Sequence, residues 1–256
     1  MKRQTTPIVQ TAPAHRAERT QFLREAIRNP RSIGAVLPSS KTLAKALASA
    51  IPVAATQPLN VLEVGAGTGA VTRHLIENLP RGSRLDIIEA NPAFTECLRR
   101  ITTSNHNPAS LTAEVHPTLL EEFKTHRRYD VIISGLPMTN FEPGAAREIM
   151  ARLMSLLHPG GALTYFAYCG TRIGRRVFSS ATEYRRHLAV DTVMKEYRDA
   201  YSAKRQTVWS NIPPAHVWNL ARPLRSNRCA RRRDHPASPT KTARQDGMLT
   251  GQDSNS

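Results

Sequence analysis

Leu59-Asn60-Val61-Leu62-Glu63-Val64-Gly65-Ala66-Gly67-Thr68-Gly69-Ala70 decides how this chain folds. Its first six residues are a short, largely apolar run closed by glycine, as expected of a strand buried in a sheet. Three glycines alternate, and at Ala70 a helical pattern begins that lasts to residue 79. A chain turning this sharply from strand to helix benefits from glycine. Without a Cβ, the backbone enters left-handed conformations freely and a ligand can approach the main chain.

The same alternation continues downstream. A second strand is expected over 85–89 and a helix over 92–101. A weaker third strand follows over 111–115, then the segment 119–124. The fourth strand covers 130–134, and 145–157 reads as an amphipathic helix carrying Ile149, Leu153, Met154 and Leu157. His158-Pro159-Gly160-Gly161 turns the chain into a fifth strand over 162–168. Residues 175–204 look helical and polar, and 206–209 and 217–220 read as two late strands joined through Asn211-Ile212-Pro213-Pro214. Strands alternating with helices predict an α/β fold with a doubly wound, mostly parallel sheet, seven-stranded once the late pair is included.

Upstream, residues 16–29 read as a basic amphipathic helix. Phe22, Leu23, Ala26 and Ile27 share a face, with Arg16, Arg19, Arg24 and Arg28 mostly around the rest, and Asn29-Pro30 stops it. After a loop over 33–40, Ser39 or Ser40 can cap a second helix carrying Leu43, Ala44, Leu47 and Ala48. The expected organisation is a flexible N-terminus over 1–15, one domain over 16–222 with its N-terminal helices in 16–50, and a basic disordered tail over 223–256.

The chain of 256 residues carries 36 Lys/Arg against 20 Asp/Glu, a net charge of +16. Residues 221–256 hold only eight of those cations and three Asp, so the body is basic as well. Such a surface attracts anions, either nucleic acid or a membrane rich in acidic lipid. Cys97, Cys169 and Cys229 form no CxxC pair, which argues against a disulfide framework and a zinc site and makes a reduced cytoplasmic setting the default. No metal is expected. No apolar run reaches the roughly 20 residues of a membrane span, and residues 1–7 lack a signal-peptide core. Membrane contact, if made, would be peripheral.

The turn Gly65-Ala66-Gly67-Thr68-Gly69 is GxGxG, not the GxGxxG of a dinucleotide fingerprint. Glu63 ends the strand before it. Glu89, at the end of the second strand with Ala90 beside it, can accept both hydroxyls of a ribose. S-adenosylmethionine (SAM) has a free ribose diol and no phosphate, so it suits an acid at this position and needs no anion cradle. Glu63 would help hold its amino-acid end. The candidate cofactor residues are Glu63, Gly65, Ala66, Gly67, Thr68, Gly69, Glu89 and Ala90.

Three further segments resemble the bacterial phospholipid N-methyltransferases, which methylate phosphatidylethanolamine. They are Phe22-Leu23-Arg24-Glu25-Ala26-Ile27-Arg28-Asn29-Pro30 running on to Gly34-Ala35-Val36-Leu37-Pro38-Ser39-Ser40, then Ile133-Ser134-Gly135-Leu136-Pro137, and Asn211-Ile212-Pro213-Pro214-Ala215-His216-Val217-Trp218. The resemblance spans about residues 20–220. It implies a Rossmann-like class I methyltransferase at the membrane surface, moving methyl groups from SAM to the amine of a phospholipid headgroup. It further implies an anionic membrane surface as partner and residues 16–29 as the lipid-seeking helix. One departure falls at the third strand, which ends Val115-His116-Pro117 where such enzymes usually show an Asp for the adenine amine. His116 is the candidate substitute.

Methyl transfer is an in-line displacement that depends mostly on positioning a neutral acceptor nitrogen. The acceptor is expected at the carboxyl end of strand four, at Ser134, Gly135, Leu136 and Pro137, with the Tyr168 ring facing the developing ammonium. The Arg231-Arg232-Arg233 cluster offers charge for anionic headgroups, although a solvated tail explains it as well. The rival class is ribosomal RNA adenine dimethylation. Enzymes of that class place Asn-Leu-Pro-Tyr or a close variant after strand four, where this chain has Gly135-Leu136-Pro137-Met138 and so lacks both the Asn and the aromatic of the base clamp. A small-molecule amine is a third possible acceptor.

Overall fold

Asn60–Val64 forms β1, and its last four side chains are all buried. Only a strand covered on both faces needs apolar residues at consecutive positions, and β1 lies between two parallel neighbours. The computed structural model of the chain describes residues 40–52, 55–104, 111–169 and 181–224. The expected helix over 16–29, the loop over 33–39, the tail and the three-arginine cluster lie outside them.

Along the chain the described elements are α1 (Lys41–Leu47), β1, α2 (Ala70–Asn78), β2 (Arg84–Ile88), α3 (Pro92–Thr103), β3 (Thr112–His116), β4 (Tyr129–Ser134), α4 (Pro143–Leu156), β5 (Leu157–Tyr168), α5 (Ala181–Ala200), β6 (Ser202–Val208) and β7 (Ala215–Ala221). The seven strands form one sheet in the order β3-β2-β1-β4-β5-β7-β6. β1 to β5 run parallel, and β7 inserts antiparallel between β5 and β6. Strand order reverses at β1, which opens a crevice at the carboxyl ends of β1 and β4.

Alternation along the strands divides the core into two layers. Leu62, Val64 and Ile132 pack with Leu153 of α4 on one face. Val61, Ile87 and Val131 pack with Leu43 of α1 and Leu75 of α2 on the other. Ser40 caps α1 as expected, its Oγ accepting from the Leu43 N–H at 3.1 Å.

Some elements and bounds differ from those expected. Residues 119–124 form a turn closed by the Glu122 and Phe123 N–H groups on the Leu119 carbonyl, not a regular element. The polar helix ends at Ala200, and residues 202–204 already pair with β7. Trp209 lies beyond β6, in the connection to β7. The fifth strand begins at Leu157 rather than at 162, and residues 158–161 form a bulge within it: Leu157 pairs with Tyr129 and Ala162 with Val131, so four residues face one across the ladder.

Candidate methyl-donor and acceptor site

The glycine turn leaves β1 at Gly65 with φ of 72°, passes Gly67 at 55° and enters α2 at Gly69 at 79°. All three lie in the left-handed region that side chains disfavour. A Cβ on Gly67 would meet nothing within 4 Å. The absent side chain therefore leaves room rather than relieving a clash with the protein.

Glu89 sets the shape of this turn. It is 4% exposed, just past β2. Its Oε2 accepts the Gly67 N–H at 2.8 Å and its Oε1 the Asn91 N–H at 2.8 Å. Burial raises its pKa above the ordinary carboxylate value, and those N–H groups offset only part of that. A carboxylate has about four acceptor positions, so Glu89 keeps capacity for a diol. Glu63, 2% exposed, lies on the α2 side and accepts the Thr72 hydroxyl at 2.8 Å. Burial pushes its pKa to about 7 against that hydrogen bond, and the charge of Glu89 adds to the rise. A buried carboxyl poised at this value suits a cationic partner.

One cavity joins these groups. Glu63, Gly65, Ala66, Gly67, Thr68, Glu89 and Ala90 line its donor end, and Gly135, Leu136, Pro137, Asn140 and Phe141 line the other. Gly69 is not part of that wall; it turns the chain at the start of α2. Gly135 is fixed by crowding, because a Cβ there would fall well inside van der Waals distance of the Gly65 carbonyl oxygen. The tips of β1 and β4 thus meet main chain to main chain. The free space at Gly67 and the two buried carboxylates fit a ligand with a diol at one end and an ammonium at the other, as SAM has.

Three sequence candidates lie elsewhere. His116 pairs with Ile88 across β2 and β3, so its ring shares a face with Asp86 two residues earlier. Its Nε2 is 3.2 Å from Asp86 Oδ1, its ring packs on Phe123 at 4.8 Å, and it does not line the cavity. Just past β3, it is Thr118, Leu119 and Leu120 that line the cavity. Ser134 is fully buried, its Oγ accepting the Leu136 N–H at 3.3 Å, so it shapes the turn from beneath. Tyr168 packs edge-on against Phe166 at 5.1 Å, and it is Phe166 that reaches the cavity.

Asp86, Glu114 and His116 bring ligand-type atoms within 4.8 Å of one another. The Arg84 guanidinium already bridges both carboxylates there, and the Tyr129 hydroxyl donates to Asp86 at 2.8 Å. Burial opposes ionisation of Asp86, but the hydrogen bonds from His116, Tyr129 and Arg84 together hold its pKa below the ordinary value. This cluster is a satisfied ion-pair network away from the cavity.

The sequence reading missed Asn140. It closes a 3-10 turn over Met138–Asn140, its N–H donating to the Pro137 carbonyl, and is only 8% exposed. It lines the acceptor end of the cavity. The signal available in the sequence was its place three residues after Pro137, at the mouth of the switch-point crevice.

Residues 62–163 match the family described as a methyltransferase domain. The chain is similar to an ornithine lipid N-methyltransferase of Singulisphaera acidiphila, 26% identical over 165 residues, covering 63% of this chain and 85% of that protein. It is also similar to the alpha N-terminal protein methyltransferase 1 of Drosophila melanogaster, 28% identical over 102 residues but covering only 36% of that protein. Among solved structures, the N-methyltransferase NodS of Bradyrhizobium japonicum, in complex with S-adenosyl-L-homocysteine, has the same fold with a TM-score of 0.52 and 18% identity, covering 80% of this chain and 98% of that one. The O-methyltransferase TomG of Streptomyces achromogenes, in complex with SAM, has a TM-score of 0.53 and 16% identity, covering 79% and 90%. Switch-point cavity, glycine turn, buried carboxylate pair and domain match agree: this chain is a SAM-dependent methyltransferase with the Rossmann-like class I fold.

Proposed function

We propose that this enzyme N-methylates the primary amine of a membrane lipid headgroup, with phosphatidylethanolamine as the acceptor, and works at the membrane surface. The observation that carries the reading is the similarity to an ornithine lipid N-methyltransferase along 85% of that protein's length. An ornithine lipid offers the same chemistry, a primary amine on a lipid headgroup, and is the alternative acceptor within this class. No helix among the described residues is long and apolar enough to cross a membrane, so the lipid would be met from the side.

SAM supplies an electrophilic methyl group on a sulfonium. The protein's part is to bind, orient and dry the site. Glu89, which holds the Gly67 turn, would take the ribose diol, and Glu63 would hold the amino-acid end. At the acceptor end, Asn140 accepts from the incoming amine and aims its lone pair, while Leu136, Phe141 and Phe166 exclude water. The amine has to attack neutral, so its proton is lost to water before transfer, and Asn140 orients the amine rather than deprotonating it. The crowding at Gly135 argues against the RNA alternative, since no side chain fits where the base clamp would place its Asn.

Labelled SAM offered with phosphatidylethanolamine liposomes, ornithine lipid liposomes or ribosomal RNA tests the reading. Label is expected in lipid, and label confined to RNA overturns it. Asn140→Ala should lower kcat/KM for the amine by about 10- to 100-fold, the worth of one hydrogen bond to a group gaining charge, with SAM affinity unchanged. A parallel loss of SAM affinity would reassign Asn140 to the donor end.

The Glu63 carboxyl gives a pH signature. Its folded pKa lies above the unfolded value, so its contribution to stability is present at low pH and fades as pH rises through about 7. A bound ammonium favours the ionised form. SAM affinity should therefore rise as pH increases toward and past about 7, with release of up to about one proton on the acid side. Calorimetry in buffers of differing ionisation enthalpy reads that proton, and Glu63→Gln should abolish it. Release that persists in Glu63→Gln would place the titrating group elsewhere.

A further inference from the structure

The connection between β6 and β7 exposes two large apolar side chains three positions apart: Trp209 is 75% exposed and Ile212 79%. Neither is loose sequence left in solvent. Between them Asn211 is buried, its Oδ1 accepting the Ser40 N–H at 3.4 Å and its Nδ2 donating to the Pro213 carbonyl at 2.7 Å. The Pro214 carbonyl accepts the Cys169 N–H at 2.6 Å. The loop is thus tied to the start of α1 and to the end of β5, and presents Trp209 and Ile212 outward from a fixed base.

Its position follows from the topology. Val208 pairs with Ala215, and Ala215 with Tyr168, so the loop lies at the carboxyl edge of the sheet, the edge that carries the cavity. β7 and β6 are two and three strands from β4, which puts the loop about 10–14 Å along that edge from Gly135. α1 links the two places, with Ser40 against the loop and Leu47 in the cavity wall.

The charge around it has one sign. Residues 40–52 and 201–224 contain no Asp or Glu. Lys41 and Lys45 on α1 and Lys204 on β6 are exposed, and Lys204 shares the α1 face of the sheet with Val208. A Trp and an Ile projecting from a firm loop, joined to elements that carry cations and no acids, match an anionic lipid surface: apolar tips enter the headgroup boundary and cations meet the phosphates. A protein partner of this chemistry would also need apolar area well beyond two side chains.

We infer that the 209–214 loop, with Lys41, Lys45 and Lys204, is a membrane-seating surface that sets the mouth of the cavity at the headgroup level of an anionic bilayer. This rests on the lipid-amine reading above and adds the place and orientation of contact.

The test uses the full chain with Trp218→Phe, so that Trp209 is the sole tryptophan, and vesicles of phosphatidylglycerol, which has no amine to methylate. Trp209 emission should shift to the blue on adding vesicles and be quenched by acyl chains brominated near the headgroup. Trp209→Ser/Ile212→Ser, in the otherwise natural chain, should reduce transfer to vesicle-embedded aminolipid by roughly tenfold, as expected for losing two partly inserted side chains. Transfer to a monomeric short-chain aminolipid should stay unchanged. Trp209 remaining water-quenchable on vesicles overturns the inference. So does a Trp209 already shielded without lipid, by another part of the chain or a second copy. If Trp209 inserts but no aminolipid is methylated, the proposed function fails and the seating surface stands; methylation without insertion has the opposite meaning.

Discussion

Gly67→Val should leave a folded protein that no longer binds SAM. Gly67 has φ of 55°, where a β-branched residue costs about 1–3 kcal/mol, so some loss of thermal stability is expected. The larger effect is on the ligand. The space beyond the Gly67 Cα is free of protein to 4 Å and opens on the cavity, so an isopropyl group would occupy ligand volume without disturbing the core. We expect affinity to fall by more than about 100-fold, since neither the strain nor the overlap can be relieved without moving the N–H that Glu89 holds. Circular dichroism would report the retained fold and calorimetry the lost binding. Gly67→Ala, with a smaller group at the same φ, should fall between. Undiminished SAM binding by the valine variant would mean that the ligand does not pass this turn.

Glu89→Ala is the second large effect, and it acts by a different route. Removing the carboxylate strands the N–H groups of Gly67 and Asn91 at a site that is 4% exposed, and unpaired buried donors cost about 1–3 kcal/mol each. The turn should loosen and the diol lose its acceptor together. SAM affinity is expected to drop by about 100- to 1,000-fold, the order expected when a ligand loses a hydrogen-bonded carboxylate as its partner. Glu89→Gln separates the two roles. One amide oxygen can accept one N–H, but the amide NH2 faces a second donor, so the turn is only half satisfied. If Glu89→Ala melts earlier yet binds SAM normally, Glu89 is a brace for the loop and the diol is held elsewhere.

Both predictions concern residues that could be picked out before any coordinates existed, because they depend on local chemistry. A buried strand followed by alternating glycines dictates a tight turn with accessible main chain. An acid ending the next strand of an alternating α/β chain comes to the same edge, since parallel neighbours present their carboxyl ends together. Ser40 could be read as a cap for the same reason: the partner of its hydroxyl is three residues away.

Long-range packing decided the rest. His116 ends β3 as the reading required, but register places it opposite Ile88, and its ring goes to Asp86 rather than into the cavity. Ser134 and Tyr168 sit at the expected strand ends, yet the Ser134 hydroxyl turns back on the Leu136 N–H, and Phe166, on the same face as Tyr168, takes the place on the cavity wall. Asn140 reads in the sequence as an ordinary polar turn residue; it is buried only because the Met138–Asn140 turn folds over the crevice. Trp209 reads as a strand residue until the ladder is seen to stop at Val208.

The sequence by itself determined the α/β alternation, the glycine turn and the acid beside it, because each follows from interactions among near neighbours or from the period of a single element. Tertiary structure alone decided that β7 enters between β5 and β6, that Asn140 faces the cavity while His116, Ser134 and Tyr168 do not, and that Trp209 and Ile212 stand exposed on the same edge as the cavity. Those outcomes depend on strand order and register, which set which distant residues share a face, and no local pattern encodes them.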